Sequence, residues 1–226
     1  MIVTVEGKGK GSLLLLLLMS SLLLCEDVAC HPLCGNECPP LYTNLFLPMV
    51  AASHYVYFTA KKLFLDFEHY YSRNKFFFMP AIRRCHTAGI TLPDDSIRPS
   101  KIEYADDFRF VVRLLHSWNE PLLHLASEAH RLPEYSSHIR HEAERIANQS
   151  RHLQELMNNV VIQFDPEITS KVDYAVWTEL PSLQSADKIT RLFATYNLLR
   201  CLFGDFRMVG GYLKWLLCQF AESFEC

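Results

Sequence analysis

The chain has 226 residues, half of them hydrophobic, and a formal charge of only −3. That balance excludes the basic surface of a nucleic-acid binder and the polar composition of a disordered chain. With no internal repeat and no Gly/Ser linker to divide it, the body of the chain reads as one domain large enough for a substantial core.

Near the N-terminus, Lys8 and Lys10 precede the apolar run Leu13 to Leu24, which is broken only by Ser20 and Ser21. A spanning helix needs about 20 apolar residues, and this run falls short of that. A basic start, a short apolar segment and a small-residue exit describe a secretory signal peptide. Val28 and Cys30 suit a cleavage site better than Asp27 and Ala29 would. Residues 1–30 are therefore expected to be a signal peptide, residues 31–226 the mature domain, and the product a secreted, extracellular chain with no membrane insertion. Cys25 and Cys30 leave with the signal, and six cysteines remain: Cys34, Cys38, Cys85, Cys201, Cys218 and Cys226. A cut before Cys30 would instead leave an odd thiol, prone to pair between molecules. An even number in a secreted chain points to a disulfide framework, with fifteen possible pairings for six cysteines. Zinc at Cys34 and Cys38 would need a second close pair of thiols, and the body of the chain supplies none.

Four apolar patterns of helical period follow. The first, Leu45 to about Ser72, carries Met49, Val50, Val56, Leu63, Phe64, Phe67 and Tyr71, with Pro48 placed in its first turn, where proline is tolerated. The second, Ile102 to about Arg131, has Phe108, Val111, Val112, Leu115, Leu122, Leu123 and Leu125, and Pro121 is expected to bend it. The third runs from Ser137 to about Phe164, with Ile139, Ile146, Leu153, Leu156, Val160 and Val161 opposite a charged face. The fourth, Asp187 to about Phe220, is the longest and should be the most buried. No strand pattern is convincing.

Connection lengths decide the topology. Each helix is about 40 Å long at 1.5 Å per residue, and parallel neighbours need a connection at least as long. Segments 73–100 and 165–186 reach that far at about 3.3 Å per residue, whereas segment 132–136 does not. The second and third helices must therefore be antiparallel, while the first and second, and the third and fourth, can run parallel. The expected fold is all-α: an up-up-down-down four-helix bundle of the long-chain cytokine type with two long crossovers.

Catalytic chemistry finds little support. His138, His141 and His152 lie on the third helix, but no carboxylate or cysteine completes a closed metal set, so they read as surface residues. No Gly-rich phosphate loop, Gly-x-Ser-x-Gly or His-Glu-x-x-His is present, and a bonded cysteine is no nucleophile. An enzymatic role, a metal and a cofactor are not expected. The aromatic run Phe76 to Pro80 in the first crossover reads as a lid over the bundle rather than a binding patch. Asn148 to Ser150 is an N-glycosylation sequon. Asn148 stands about 200° round the helix from Ile146, which shares its face with Leu153, so the asparagine should face solvent.

Several local stretches resemble the prolactin family, that is, the prolactin, growth hormone and placental lactogen group. They are "HSWNEPL" (His116 to Leu122), "WTELPSLQSAD" (Trp177 to Asp187), "YNLLRCL" (Tyr196 to Leu202) and "YLKWLLC" (Tyr212 to Cys218), with "SHY" at Ser53, "CHT" at Cys85 and a terminal cysteine. The resemblance covers Cys34 to Cys226 and implies a secreted four-helix hormone with the pairings Cys34–Cys38, Cys85–Cys201 and Cys218–Cys226. It also implies binding, as a monomer, to a prolactin-receptor-like cytokine receptor or another cell-surface protein. Carried over by position, a first receptor-binding face would hold His54, Tyr57, Pro93, Tyr196, Arg200, Arg207, Tyr212 and Lys214.

The chain departs from the family pattern in several places. Phe203 and Gly204 stand where a basic pair is usual, Arg207 stands at a histidine position and Gly210 at an aspartate position. A histidine-dependent pH or zinc response is therefore not implied for this face. On the second binding face, Leu156 occupies the place of a glycine that opens a cleft for another receptor chain. The N-terminal cysteines are also closer together than is usual. Duplicated family members of placenta and decidua are the natural comparison. Two readings follow: a hormone that signals through a cell-surface receptor, or a non-signalling binding protein that engages one partner through one face.

Overall fold

The computed structural model describes residues 39–71, 84–91, 104–132, 136–164 and 173–220. The segment 1–30, the run 76–80, Pro93, Cys34, Cys38 and Cys226 lie outside the described residues. Helix α1 spans Pro39–Tyr71, α2 Tyr104–Ser117, α3 Asn119–Glu128, α4 Ser136–Phe164, α5 Leu180–Leu183 and α6 Lys188–Phe220. Short 3-10 turns lie at His86–Gly89 and Ala129–Arg131. No strand occurs among the described residues.

The helices form because their buried residues recur every three or four positions. In α4 these are Ile139, Ala143, Ile146, Leu153, Met157 and Val160. In α6, Leu192, Leu199, Leu202, Phe206, Val209 and Leu213 do the same. The start of α6 is capped by Asp187, whose Oδ2 accepts from the Thr190 backbone N–H at 2.7 Å. The largest buried side chains, among them Trp118, Phe46, Phe67, Phe108 and Phe206, fill the space between the four long elements.

Pairwise contacts give the directions. Along α1 and α6, His54 lies beside Gly210, Tyr57 against Phe203 and Phe64 against Tyr196, so partner numbers fall as α1 advances. Along α1 and α4, Tyr55 meets Arg145 and Asp66 meets His138, again antiparallel. Along α2 and α6, Phe110 meets Tyr212 and Trp118 meets Asp205. The first two long elements therefore run one way and the last two the other, giving the up-up-down-down bundle.

Two helix boundaries and the content of the crossovers differ from the sequence expectation. Helix α1 begins six residues before Leu45, so Pro48 lies in the helix interior and not in its first turn. The proline lacks the N–H that would reach the Asn44 carbonyl, and both residues are exposed, on the side of α1 that faces water. The second helix breaks at Trp118 into α2 and α3, three residues ahead of Pro121. Proline acts on the carbonyl four residues back, and that carbonyl belongs to Ser117. The crossovers are also not structureless: the first holds the 3-10 turn at His86–Gly89, and the second holds α5. The second crossover is pinned across α2, since Arg113 Nε donates to the Asp173 carbonyl at 2.7 Å and Ala175 N–H donates to Ser117 Oγ at 2.9 Å. Trp177 is buried and stacks on His124 of α3.

Candidate functional site

Two arrangements stand out. One is a surface between α1 and α6, and the other is a buried polar junction beneath it. On α6, Tyr196, Arg200, Phe203, Arg207, Gly210 and Lys214 follow each other at intervals of three and four, which places them on one stripe. On α1, His54, Tyr57, Phe58 and Lys61 make the facing stripe. The stripes meet through stacked rings. Phe203 lies 5.6 Å from Tyr57 and 6.0 Å from Phe64, nearly parallel to both. Tyr57 packs edge-on to Phe58 at 4.9 Å. Lys61 Nζ lies over the Tyr57 ring at 6.0 Å. Tyr196 is buried against Phe64, and burial together with the nearby Glu68 carboxylate pushes its phenol up.

Of the residues expected on the first face, His54, Tyr57, Tyr196, Arg200, Arg207 and Lys214 are brought together on these stripes. Tyr212 is not, because it lies two positions past Gly210, about 200° round the helix, and packs on Phe110 of α2 at 4.8 Å. Gly210 is buried, and an added Cβ would stand 3.4 Å from the His54 ring. The small residue thus lets the imidazole lie directly on α6. On the other side of the bundle, Leu156 is half-buried and packs on the core. Asn148 is exposed, whereas Ser150 is buried. The α4 histidines stand apart from one another in their pairing: His138 lies 3.5 Å from Asp66, and His152 lies 3.9 Å from Glu155. His141 is exposed.

The junction was not anticipated from the residues. The Asp205 carboxyl is buried on α6, and its Oδ2 accepts from Thr87 Oγ1 at 2.7 Å and from Trp118 Nε1 at 2.8 Å. Burial raises its pKa to about 6, against the pull of those two hydrogen bonds and the Arg200 charge. Next to Thr87, His86 Nε2 lies 3.0 Å from the Ser117 carbonyl. That is the carbonyl Pro121 cannot serve, so the imidazole takes the place of the missing backbone donor. Burial holds His86 below its usual pKa, which keeps the ring neutral with its proton on Nε2. Cys85 completes the junction through its disulfide to Cys201, 116 residues away. Cys218 is disulfide-bonded as well. The stretches "CHT", "HSWNEPL" and "YNLLRCL", far apart in the chain, therefore meet at one point. Their grouping was the only sequence signal for it.

The comparisons with known proteins agree with this geometry. The family model described as the Somatotropin hormone family matches residues 17–226. The protein named Prolactin from Alexandromys montebelli is 34% identical over 224 residues, which is 99% of this chain and 100% of that protein. A match of that extent, on an up-up-down-down bundle closed by Cys85–Cys201, means that the chain belongs to the somatotropin hormone family.

Proposed function

We propose that this chain is a secreted hormone that engages a cell-surface cytokine-type receptor through the α1/α6 surface. The observation that carries the reading is the aromatic group Tyr57, Phe58, Phe64 and Phe203, flanked by Lys61, Arg200, Arg207 and Lys214. Phe58 is 60% exposed, a large ring held in water beside cations, and aromatic anchors with basic neighbours are the usual centre of a binding surface. The complementary partner presents an apolar pocket with an acidic margin. Phe203 in place of a basic residue makes this surface more apolar and less charged than the family pattern, so its partner need not be the receptor of its relatives.

The test is a titration of purified protein against receptor ectodomains. Phe58→Ala should weaken the first binding step by at least about tenfold, with the fold intact by circular dichroism. Unchanged affinity would remove this surface from the proposal. The second reading, a one-to-one binder, is favoured by Leu156, a partly buried leucine on α4 in the place where the family pattern has a glycine that leaves room for a second receptor chain. Overlap in a packed interface costs about 1–3 kcal/mol. One-to-one complexes should therefore dominate, and Leu156→Gly should strengthen the second step while leaving the first unchanged. Two-chain assembly by the unaltered protein at nanomolar concentration would show that the second face is built around Leu156.

Secretion and processing belong to the same proposal. The mature chain begins at His31, Cys34–Cys38 and Cys218–Cys226 are bridged, and Asn148 carries a glycan. Because Ser150 of the sequon is buried, glycan transfer has to precede the packing of α4. Intact mass of secreted material before and after glycosidase checks all of this. A retained Cys25, a free thiol or an unchanged mass would each contradict its part.

A further inference from the structure

We propose that the Cys85–Cys201 bridge is an exchangeable disulfide, opened by an external thiol that attacks Cys85 while Arg200 receives the departing Cys201 thiolate. The inference is independent of receptor binding and rests on three features.

The first is access. A cleft of about 200 Å³ lies between the two crossovers and α6, and both bridging cysteines form part of its lining. Its rim residues Arg84, Val176 and Thr178 are exposed, while Trp177 and Phe193 make an apolar wall. The second is asymmetry. Cys85 is half-buried but Cys201 is only 4% exposed, so an entering nucleophile meets the Cys85 sulfur first. The third is charge. Arg200 Nη2 lies 3.6 Å from Cys85 Sγ and 3.5 Å from Cys201 Sγ, and it is steadied by Asn197 Oδ1 at 3.1 Å. A guanidinium beside a sulfur lowers the pKa of its thiol, and a thiol of lower pKa leaves faster in exchange.

The step balances as ordinary thiol–disulfide exchange. The reductant's thiolate forms a bond to Cys85 Sγ as the Cys85–Cys201 bond breaks, and the electron pair departs on Cys201 Sγ. A second thiol of the same reductant then attacks the reductant's own sulfur in the mixed disulfide and releases Cys85. The reductant ends as its disulfide. The bridge has taken up two electrons, with protons from solvent. A dithiol is therefore the natural co-reactant, and a monothiol should stall at the mixed disulfide on Cys85. Opening the bridge removes the covalent tie between the first crossover and α6 and leaves Thr87–Asp205 to hold the two together.

The experiment uses the full secreted chain under native conditions. Dithiothreitol is added, free thiols are trapped with iodoacetamide over time, and labelled cysteines are mapped by peptide mass. A parallel sample receives glutathione. Labelling of Cys85 and Cys201 ahead of Cys218 is expected, with the glutathione adduct on Cys85. Arg200→Gln should slow the opening about tenfold, and Arg200→Lys should restore most of the rate. The global unfolding rate of each variant, measured alongside, separates direct attack from reduction of unfolded chain. Opening no faster than unfolding, equal rates for Arg200→Gln and the natural chain, or an adduct on Cys201 would overturn the proposal.

Discussion

Replacing Cys85 and Cys201 together by alanine should lower the stability of the fold by about 5 kcal/mol. The bridge closes a loop spanning 116 residues, and in the chain-entropy model the loss grows with the logarithm of that length. For a domain of this size the melting temperature should fall by about 10–20 °C. Removing Cys34 and Cys38, which would close a loop of only a few residues, should cost markedly less. Thermal unfolding of the two double variants is the measurement, and equal losses would contradict the entropic account. Alanine is the better substitute at Cys201, because serine would bury a hydroxyl there.

The second large effect should come from Asp205→Ala, and it should depend on pH. Removing the carboxyl leaves Thr87 Oγ1 and Trp118 Nε1 without their acceptor in a buried site, which costs about 2–5 kcal/mol. The natural carboxyl titrates at about 6 in the fold against an ordinary value of 3.8. A raised carboxyl pKa means that the fold prefers the protonated form. This group's contribution to stability is therefore largest below about pH 4 and is lost as pH rises through about 6. At pH 4 the alanine variant should show most of the loss. At pH 7 the loss should shrink by roughly 1–3 kcal/mol, because the ionised carboxylate is itself costly there. Asp205→Asn keeps an acceptor and removes the titration, so its profile between pH 4 and pH 7 should be flat relative to the natural chain. The other groups facing this site, Arg200 from α6 and His86 from the first crossover, are present in both variants and cancel in the comparison. Denaturant unfolding of all three proteins across that range checks the sign. A natural chain that gains stability from this group as pH rises would refute it.

The long elements were legible because their apolar residues repeat. Ile139, Ile146 and Leu153 mark one face of α4, and the exposed Asn148 falls opposite them, as spacing requires. Connection lengths forced the second and third helices to be antiparallel and left room for the parallel pairs that the structure has. The beginning of α1 was not legible, since the apolar pattern starts only at Leu45, while Pro39 and Pro40 fall in the first turn, where the N–H that proline lacks would be unpaired anyway. Asp205 was invisible for a related reason: an aspartate between Gly204 and Phe206 reads as a polar residue on a helix, and nothing nearby in sequence reveals the donors that bury it. They arrive from Thr87 and Trp118, 118 and 87 residues away. Tyr212 illustrates the limit of carrying positions from a family. The residue matches, but its place on α6 aims it at α2.

The antiparallel pairing of α1 with α6 joins the first described helix to the last, and this bears on how the chain is made. Ribosomes deliver residues at roughly 5–20 per second, and more than a hundred residues separate Tyr71 from Lys188. For roughly 6–25 seconds α1 is therefore complete while the surface that covers it has yet to be synthesised. Tyr57 and Phe64, which pack on Phe203 and Tyr196 of α6 in the finished bundle, stay uncovered during that interval. The nascent chain thus presents this apolar face of α1 without its partner until translation is nearly complete.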